Sequence, residues 1–315
     1  MQTGESRVRD ILRLIVWYPL RWFLLAVPPK VALATLRFMG DLHYGAAKGK
    51  RRMLAENLQR MGISETHHAE NIRLYFRNHY QDQLFPLIFP KFNKENIADY
   101  VSFQGLNHLD KALEKKKGVV LVHGHFGPVH LPLVSLALLG YPMKQIGNPS
   151  DKGLSWIGRH VAFRLRMQYE SRIPADIIQA GSFLRPIFKA LRCNQVIMTT
   201  GDGSGTEEFF GKQACFPFLG QQVVLPLGPA ILSQKTGASL LPLFILPGDQ
   251  ALFTVIIEPE ITSGLPGEQG IFDCSKQFLA RLEEYIRTSP GYMHFLDRFV
   301  PGQFICVEQA RKRNK

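Results

Sequence analysis

The sequence predicts an α/β fold with a central, mostly parallel or mixed sheet flanked by helices, preceded by a helical N-terminal part. From about residue 100 onward, short apolar runs alternate with segments of helical periodicity, which is the pattern of strands joined by helices. Before that point the apolar residues recur at helical spacing. A chain of 315 residues with 45% apolar content can bury a large core.

The N-terminal stretch "VRDILRLIVWYPLRWFLLAVPPKVALATL" is apolar but interrupted by charges and prolines. No run reaches the roughly 18 uncharged residues of a spanning helix, and arginines within it argue against a cleavable signal peptide. Pro19, Pro28 and Pro29 should each break a long helix. We expect residues 1–45 to form amphipathic helices lying in a membrane interface, with aromatic side chains at headgroup depth; these side chains are Trp17, Tyr18, Trp22 and Phe23. The alternative is a helical hairpin that packs on the core.

Residues 46–315 are predicted to form the α/β domain, and they begin with a basic helix. The segment "AAKGKRRMLAENLQRMG" has apolar residues at helical spacing, and Gly62 is a plausible stop. Its basic residues form a solvated face or, being near the N-terminal helices, contact phospholipid.

Five strands are predicted after residue 100, at "GVVLVHGH", "GYPMKQIGN", "NQVIMTTGD", "ASLLPLFIL" and "ALFTVIIEP". Helical patterns lie between them, for example at 129–139 and 182–192. Functional groups in such sheets gather where strands end and helices begin.

Charge and cysteine content restrict the possible partners. A net charge of +12 points to nucleic acid, an acidic membrane face or a phosphorylated substrate. We expect no nucleic-acid partner, because the sequence has no recognised motif and the charge is spread along the chain. Four widely spaced cysteines without a CxxC pair predict reduced thiols in a cytosolic setting.

The most informative stretch is "VLVHGHFGPVHLP", where a strand runs into a glycine-containing turn with three histidines. On a regular strand His123 and His125 point the same way, so with His130 they could bind a metal. We expect no metal, however, because no Asp or Cys follows at hydrolase spacing, and His123 is better explained as a core histidine. Asp202, in the later "GDGSG", could be an ordinary turn aspartate.

These pieces resemble the bacterial lipid A biosynthesis acyltransferase family, within the lysophospholipid acyltransferase superfamily. The family's strand followed by His-Phe-Gly-Asn-Trp-Glu, an HX4D/E motif, reads here as residues 125–130, "HFGPVH". Other similar segments follow in family order, and the resemblance covers nearly the whole chain. They are "KRRMLAENL", "GNPSDKGLSWIGRHVAFRLR", "LRCNQVIMTTGDGSG", "FPFLGQQVVLPLGPAILSQKTGASLLPLF" and "YIRTSPGYMHFLDRF".

The resemblance implies transfer of a fatty acyl chain from an acyl thioester, on acyl carrier protein or coenzyme A, to a hydroxyl of a membrane glycolipid such as a lipid A precursor. It implies no cofactor. His125 is the candidate general base, and a positioned base contributes about 10²–10⁴ in rate. The implied location is the cytoplasmic face of the inner membrane, peripheral or monotopic, on an anionic surface.

The chain departs from the motif at its sixth position, where His130 stands in place of Asp or Glu. A neutral imidazole can accept a hydrogen bond from His125 but cannot supply negative charge. Three explanations follow. Another acid serves, with Glu207 or Glu208 preferred and Asp202 next; or His130 orients His125 weakly; or catalysis is lost.

Four arginines are candidate substrate-binding residues, because guanidinium groups suit phosphates. Arg159, Arg164 and Arg166 lie in "GRHVAFRLR", and Arg298 matches a family arginine position. The first three could equally form a solvated helix face. The alternative function, from a different class, is a catalytically inactive lipid-binding protein on the acyltransferase fold.

Overall fold

The computed structural model describes residues 6–147, 149–180, 185–203, 211–248 and 251–300. Its α-helices are α1 (Arg7–Ile15), α2 (Arg21–Ala26), α3 (Pro29–Ala46), α4 (Lys48–Arg60), α5 (His68–Leu84), α6 (Leu106–Glu114), α7 (His130–Leu138), α8 (Arg164–Glu170), α9 (Arg185–Arg192), α10 (Gly228–Thr236) and α11 (Gly267–Thr288). π-Helical turns cover Val16–Leu20 and Gly158–Phe163, and 3₁₀ turns Pro290–Tyr292 and His294–Arg298 lie near the C-terminal end of the described chain.

The strands form one large sheet and a separate hairpin. They are β1 (Val101–Gln104), β2 (Val119–His123), β3 (Met143–Gly147), β4 (Asp176–Gln179), β5 (Val196–Thr200), β6 (Gln213–Phe218), β7 (Gln221–Pro226), β8 (Ser239–Pro247) and β9 (Phe253–Ile257). Seven of them form a sheet in the order β1-β9-β8-β2-β5-β3-β4. Only the β8–β9 pair is antiparallel in that sheet, and β6 and β7 form the hairpin.

The α/β prediction is confirmed, including all five predicted strands, which are β2, β3, β5, β8 and β9. Helix α7 matches the pattern predicted at 129–139, and α9 covers 185–192 of the pattern predicted at 182–192, whose first residues lie outside the described chain. Sequence reasoning missed β1, β4 and the β6–β7 hairpin. The first two have four residues each, too short to show a reliable periodicity.

The expectation that Pro19 breaks the N-terminal helix is wrong. Pro19 lies inside the π-helical turn Val16–Leu20, which joins α1 directly to α2. Proline has no backbone N–H to donate, and a local π turn accommodates the missing bond without ending the helix. Pro28 and Pro29 do separate two helices, because α2 ends at Ala26 and α3 begins at Pro29.

The N-terminal helices pack on the body of the molecule along one side. Trp17, Leu24, Leu33 and Leu36 are buried in the same apolar core as the sheet residues Val119 and Leu121. Helix α3 packs along α5 and continues through the predicted boundary at residue 45 to Ala46.

Helix α1 turns apolar residues outward, and two of its charged residues, Asp10 and Arg13, face the body of the molecule. Exposed apolar side chains stand at helical spacing on α1, and Trp22 of α2 is 61% exposed. The α1 residues are Val8, Ile11, Leu12 and Ile15. On the inner side Arg13 pairs with Asp10, and both contact the hydroxyl of Ser155. The neighbouring Trp156 is 70% exposed. No helix in the described ranges is long and apolar enough to cross a membrane.

Candidate active site

The candidate site lies where β2 and β5 end. The two strands are parallel neighbours, and His123 is in register with Thr200. Two residues beyond that pair, the segment after β2 reaches His125 and the segment after β5 reaches Asp202. Because parallel strands end at the same edge of the sheet, the register alone brings these two side chains together.

Asp202 holds His125 through both of its carboxylate oxygens. Oδ1 lies 2.8 Å from Nδ1 of the His125 ring, and Oδ2 accepts the backbone N–H of His125 at 2.6 Å. Asp202 is buried, whereas the His125 side chain remains 19% exposed. The carboxylate therefore fixes both the ring and the backbone of the histidine.

This pairing sets the tautomer and the basicity of His125. A carboxylate oxygen only accepts, so Nδ1 carries the hydrogen and the lone pair of the neutral ring is on Nε2. Burial alone would lower the pKa of His125, but the charge of Asp202 and its hydrogen bond outweigh burial and raise that pKa.

Two glycines allow α11 to pack close behind the pair. A Cβ at Gly201 would lie 2.4 Å from the Phe278 ring, and one at Gly124 would lie 2.7 Å from Leu282. Both distances are shorter than van der Waals contact allows. Gly124 and Gly201 therefore let the two strand ends lie under α11 without being pushed apart.

His123 has the environment of a core histidine. It is buried, its Nδ1 lies 3.0 Å from the Gly124 carbonyl oxygen, and burial lowers its pKa to about 4. Among the described residues, no group of three His, Cys, Asp or Glu side chains could hold a metal ion.

The segment that follows α11 covers the histidine turn. The backbone N–H groups of His294 and Gly127 donate to the carbonyl oxygens of His125 and Tyr292, respectively, each at 2.9 Å. Nε2 of His294 donates to the Gly127 carbonyl oxygen at 2.6 Å. The Phe295 ring packs on His125, with ring centroids 4.6 Å apart. Sequence reasoning assigned no role to His294.

Asp82 is a second buried carboxylate near the turn, and sequence reasoning missed it. It lies on α5, its Oδ1 accepts the backbone N–H of Val129 at 3.2 Å, and its Oδ2 is 3.7 Å from Nδ1 of His294. Burial alone would raise the pKa of Asp82, but attraction to His294, His130 and Arg166 keeps it lowered. The only sequence signal for this site was the presence of an acid, Asp82, at an inward-facing position of the predicted helix.

His130, the residue at the position of the motif acid, does not contact His125 through a hydrogen bond in the described structure. Its Nδ1 is buried and has no hydrogen-bond partner among the described residues. Burial lowers the pKa of His130, against the charges of Asp82 and Glu170. Glu207 and Glu208 lie outside the described residues.

The four predicted arginines are placed differently from one another. Arg159 is exposed and its Nε lies 3.0 Å from an Asp151 carboxylate oxygen, and Arg164 and Arg298 are also exposed. Nε of Arg166 donates to the buried Glu170 at 2.6 Å. Of the four, Arg298 acts electrostatically on His125, where its charge partly opposes the rise in pKa caused by Asp202.

Beside Gly201 lies a small cavity of about 10 Å³, which is room for about one water molecule. Apolar groups from the sheet, α10 and α11 line it, including Val122, Leu240 and Phe278. An acyl chain does not fit this cavity unless its walls move.

Comparison with known protein families gives a match over almost the whole chain. The model of a family described as bacterial lipid A biosynthesis acyltransferase matches residues 5–300, which include every element described above. A comparison with curated proteins gave no match.

Proposed function

The chain belongs to the bacterial lipid A biosynthesis acyltransferase family, and from this membership we propose that it transfers a fatty acyl chain from a thioester to a hydroxyl of a membrane glycolipid. The donor is acyl carrier protein or coenzyme A, and the acceptor is a glycolipid such as a lipid A precursor. The observation that carries the proposal is the His125–Asp202 pair, 2.8 Å apart, because base-catalysed acyl transfer to a hydroxyl needs an oriented imidazole.

In the proposed reaction, Nε2 of His125 takes the proton of the acceptor hydroxyl. The hydroxyl oxygen forms a bond to the thioester carbonyl carbon, the C–S bond breaks, and the proton on Nε2 passes to the leaving thiolate. Asp202 stabilises the transient imidazolium, since its carboxylate faces Nδ1. Glu207 and Glu208 remain candidates for a further role, and the exposed Arg159, Arg164 and Arg298, with Arg166, are candidate contacts for acceptor or donor phosphates.

The proposed place of action is an anionic membrane surface, at the cytoplasmic face of the inner membrane. The outward apolar stripe of α1 and the exposed Trp22 support it, because such a surface is costly in water and favourable at the headgroup boundary. The net charge of +12 favours anionic lipid.

A second candidate, a catalytically inactive lipid-binding protein, is favoured by His130, which stands where the family motif has an acid. The His125–Asp202 pair favours the enzyme, because a scaffold that only binds lipid has no need of a buried carboxylate aimed at an imidazole.

The test is acyl transfer by purified protein in mixed micelles, with acyl carrier protein and coenzyme A thioesters as donors and lipid A precursors as acceptors. We expect transfer by the wild type, loss of at least about 10² in rate in His125→Ala with the fold retained, and a mainly destabilising effect of His123→Ala. Wild-type protein that binds acyl chains but transfers none would leave the inactive lipid-binding protein. A folded His123→Ala protein that is inactive beside an active His125→Ala protein would refute the choice of base.

A further inference from the structure

We infer that Asp82 is a positioning residue, which supplies from helix α5 the carboxylate that the motif lacks at position 130. The inference rests on the proposed function, since it concerns the geometry of the proposed base. Asp202 orients the His125 ring, whereas Asp82 holds the turn that carries it.

The two oxygens of Asp82 face opposite ends of the turn. Oδ1 accepts the backbone N–H of Val129, the last residue before α7. Oδ2 faces the ring of His294, which in turn donates to the Gly127 carbonyl oxygen, and the backbone of His294 donates to the His125 carbonyl oxygen. One buried carboxylate thus binds the end of the turn at Val129 and lies beside the histidine that contacts residues 125 and 127.

His130 lies next to Asp82, one residue beyond the backbone N–H that Asp82 binds. The two are close enough for the Asp82 charge to act on His130, and Nδ1 of His130 has no partner among the described residues. An acid at position 130 beside Asp82 would place two carboxylates together, and two carboxylates that share a site cannot both ionise readily. A histidine at position 130 is therefore expected once the carboxylate comes from α5.

Removal of the Asp82 charge should disturb the position of His125 more than the binding of substrate. The turn would lose the charge that faces the ring of His294, so the backbone that carries His125 would be held less precisely relative to the acceptor, even though Asp202 still binds the ring. A misplacement of about 1 Å in a reacting group can cost about 10²-fold in rate. The effect should fall on kcat, because Asp82 is buried and lies away from solvent.

The experiment compares Asp82→Asn, the double variant Asp82→Asn/His130→Asp, and Asp41→Asn as the matched control. Asp41 also binds α5, through Arg73 and Arg77, but makes no contact with the turn among its described hydrogen bonds. We expect kcat to fall about 10²-fold in Asp82→Asn with KM nearly unchanged, and to recover in the double variant, which returns one carboxylate to the motif position. Asp41→Asn should keep the wild-type kcat.

A second readout does not need turnover: the His125 ring pKa, followed by NMR of labelled histidine. The charged or titratable groups around His125 are Asp202, Asp82, His123, His294 and Arg298. Because the Asp82 charge raises the His125 pKa, that pKa should fall in Asp82→Asn and rise again in the double variant.

Several results would overturn the inference. They are a wild-type kcat in folded Asp82→Asn, or a folded double variant no more active than the single one. If Asp82→Asn does not fold, Asp82→Glu decides: an unchanged kcat overturns the inference and a reduced kcat at constant KM supports it. Absence of transfer by the wild type would refute the proposed function, and the NMR titration would then decide, with an unchanged His125 pKa overturning the role of Asp82.

Discussion

At the scale of single residues, two carboxylates hold His125 and its turn, whereas the family motif has a single acid. Asp202 binds the ring and the backbone of His125, and Asp82 binds the far end of the same turn. Asp202 follows the end of β5 by two residues and Asp82 lies on α5, so each reaches the turn from a rigid element or from its immediate end. Rigid elements position a reacting group more accurately than loops do.

The pH dependence of activity should follow the His125–Asp202 pair. A general base acts when neutral, so kcat/KM should rise with pH through the His125 pKa, which Asp202 raises above the ordinary value of about 6.5. In Asp202→Asn the raising charge is gone and burial remains, so the acidic limb should move to lower pH. The rate at the optimum should fall by up to about 10⁴, the cost of losing the equivalent carboxylate in serine proteases.

A kcat/KM profile of both proteins between pH 5 and 9 measures this prediction. Asp176→Asn is the control, since Asp176 pairs with Lys144 at the surface. An acidic limb that stays in place in Asp202→Asn would mean that another group, such as Glu207 or Glu208, sets the basicity of His125.

At the scale of elements, the sequence predicts the strands and turns that local residue patterns specify. It does not predict contacts that arise from tertiary packing. Apolar runs predicted β2 and β5, and the motif predicted the turn at His125, because these signals are local. Asp82 lies on α5, 47 residues before Val129 in the sequence. The contact between them depends on how α5 packs against the turn, and no local sequence pattern specifies that packing. The β6–β7 hairpin had a weak sequence signal in Gly220. Its two-residue turn, Leu219 and Gly220, has positive φ at both positions, and only the glycine is typical of such a turn.

The packing of α11 on the two strand ends predicts an intolerance of side chains at Gly201. Gly201→Ala should lower the free energy of unfolding by about 1–3 kcal/mol, because its Cβ would overlap the Phe278 ring. Activity should fall as well, since Asp202 is the next residue. Gly228→Ala is the matched control, because a Cβ there meets nothing within 4 Å.

Denaturant unfolding of Gly201→Ala, Phe278→Leu and the double variant tests whether this overlap is the cause. If it is, the double variant loses less stability than the sum of the two single changes. Strict additivity would show that Gly201 is required for a reason other than contact with α11.

At the scale of the whole molecule, the edge of the sheet that carries His125 and helix α1 belong to one folded body. Helix α3 packs on α5, and α5 carries Asp82 to the turn. Helix α1 is joined to the Ser155 segment through Asp10 and Arg13. A membrane bound by α1 would therefore be held at a fixed orientation to His125, as a base that acts on a lipid acceptor requires.

Membrane binding should depend on the apolar stripe of α1 and on anionic lipid. The test is sedimentation with vesicles containing anionic phospholipid, comparing Leu12→Glu with Leu265→Glu, since both leucines are more than half exposed. Burial of a leucine side chain is worth about 1.5–3 kcal/mol, so Leu12→Glu should weaken binding at least about tenfold, whereas Leu265→Glu, in the loop before α11, should bind like the wild type. Added salt should release part of the protein, because it screens surface charge. Equal binding by the two variants, or wild-type protein that stays in the supernatant with anionic vesicles, would show that α1 does not bind the membrane and that its outward leucine and isoleucines serve another contact.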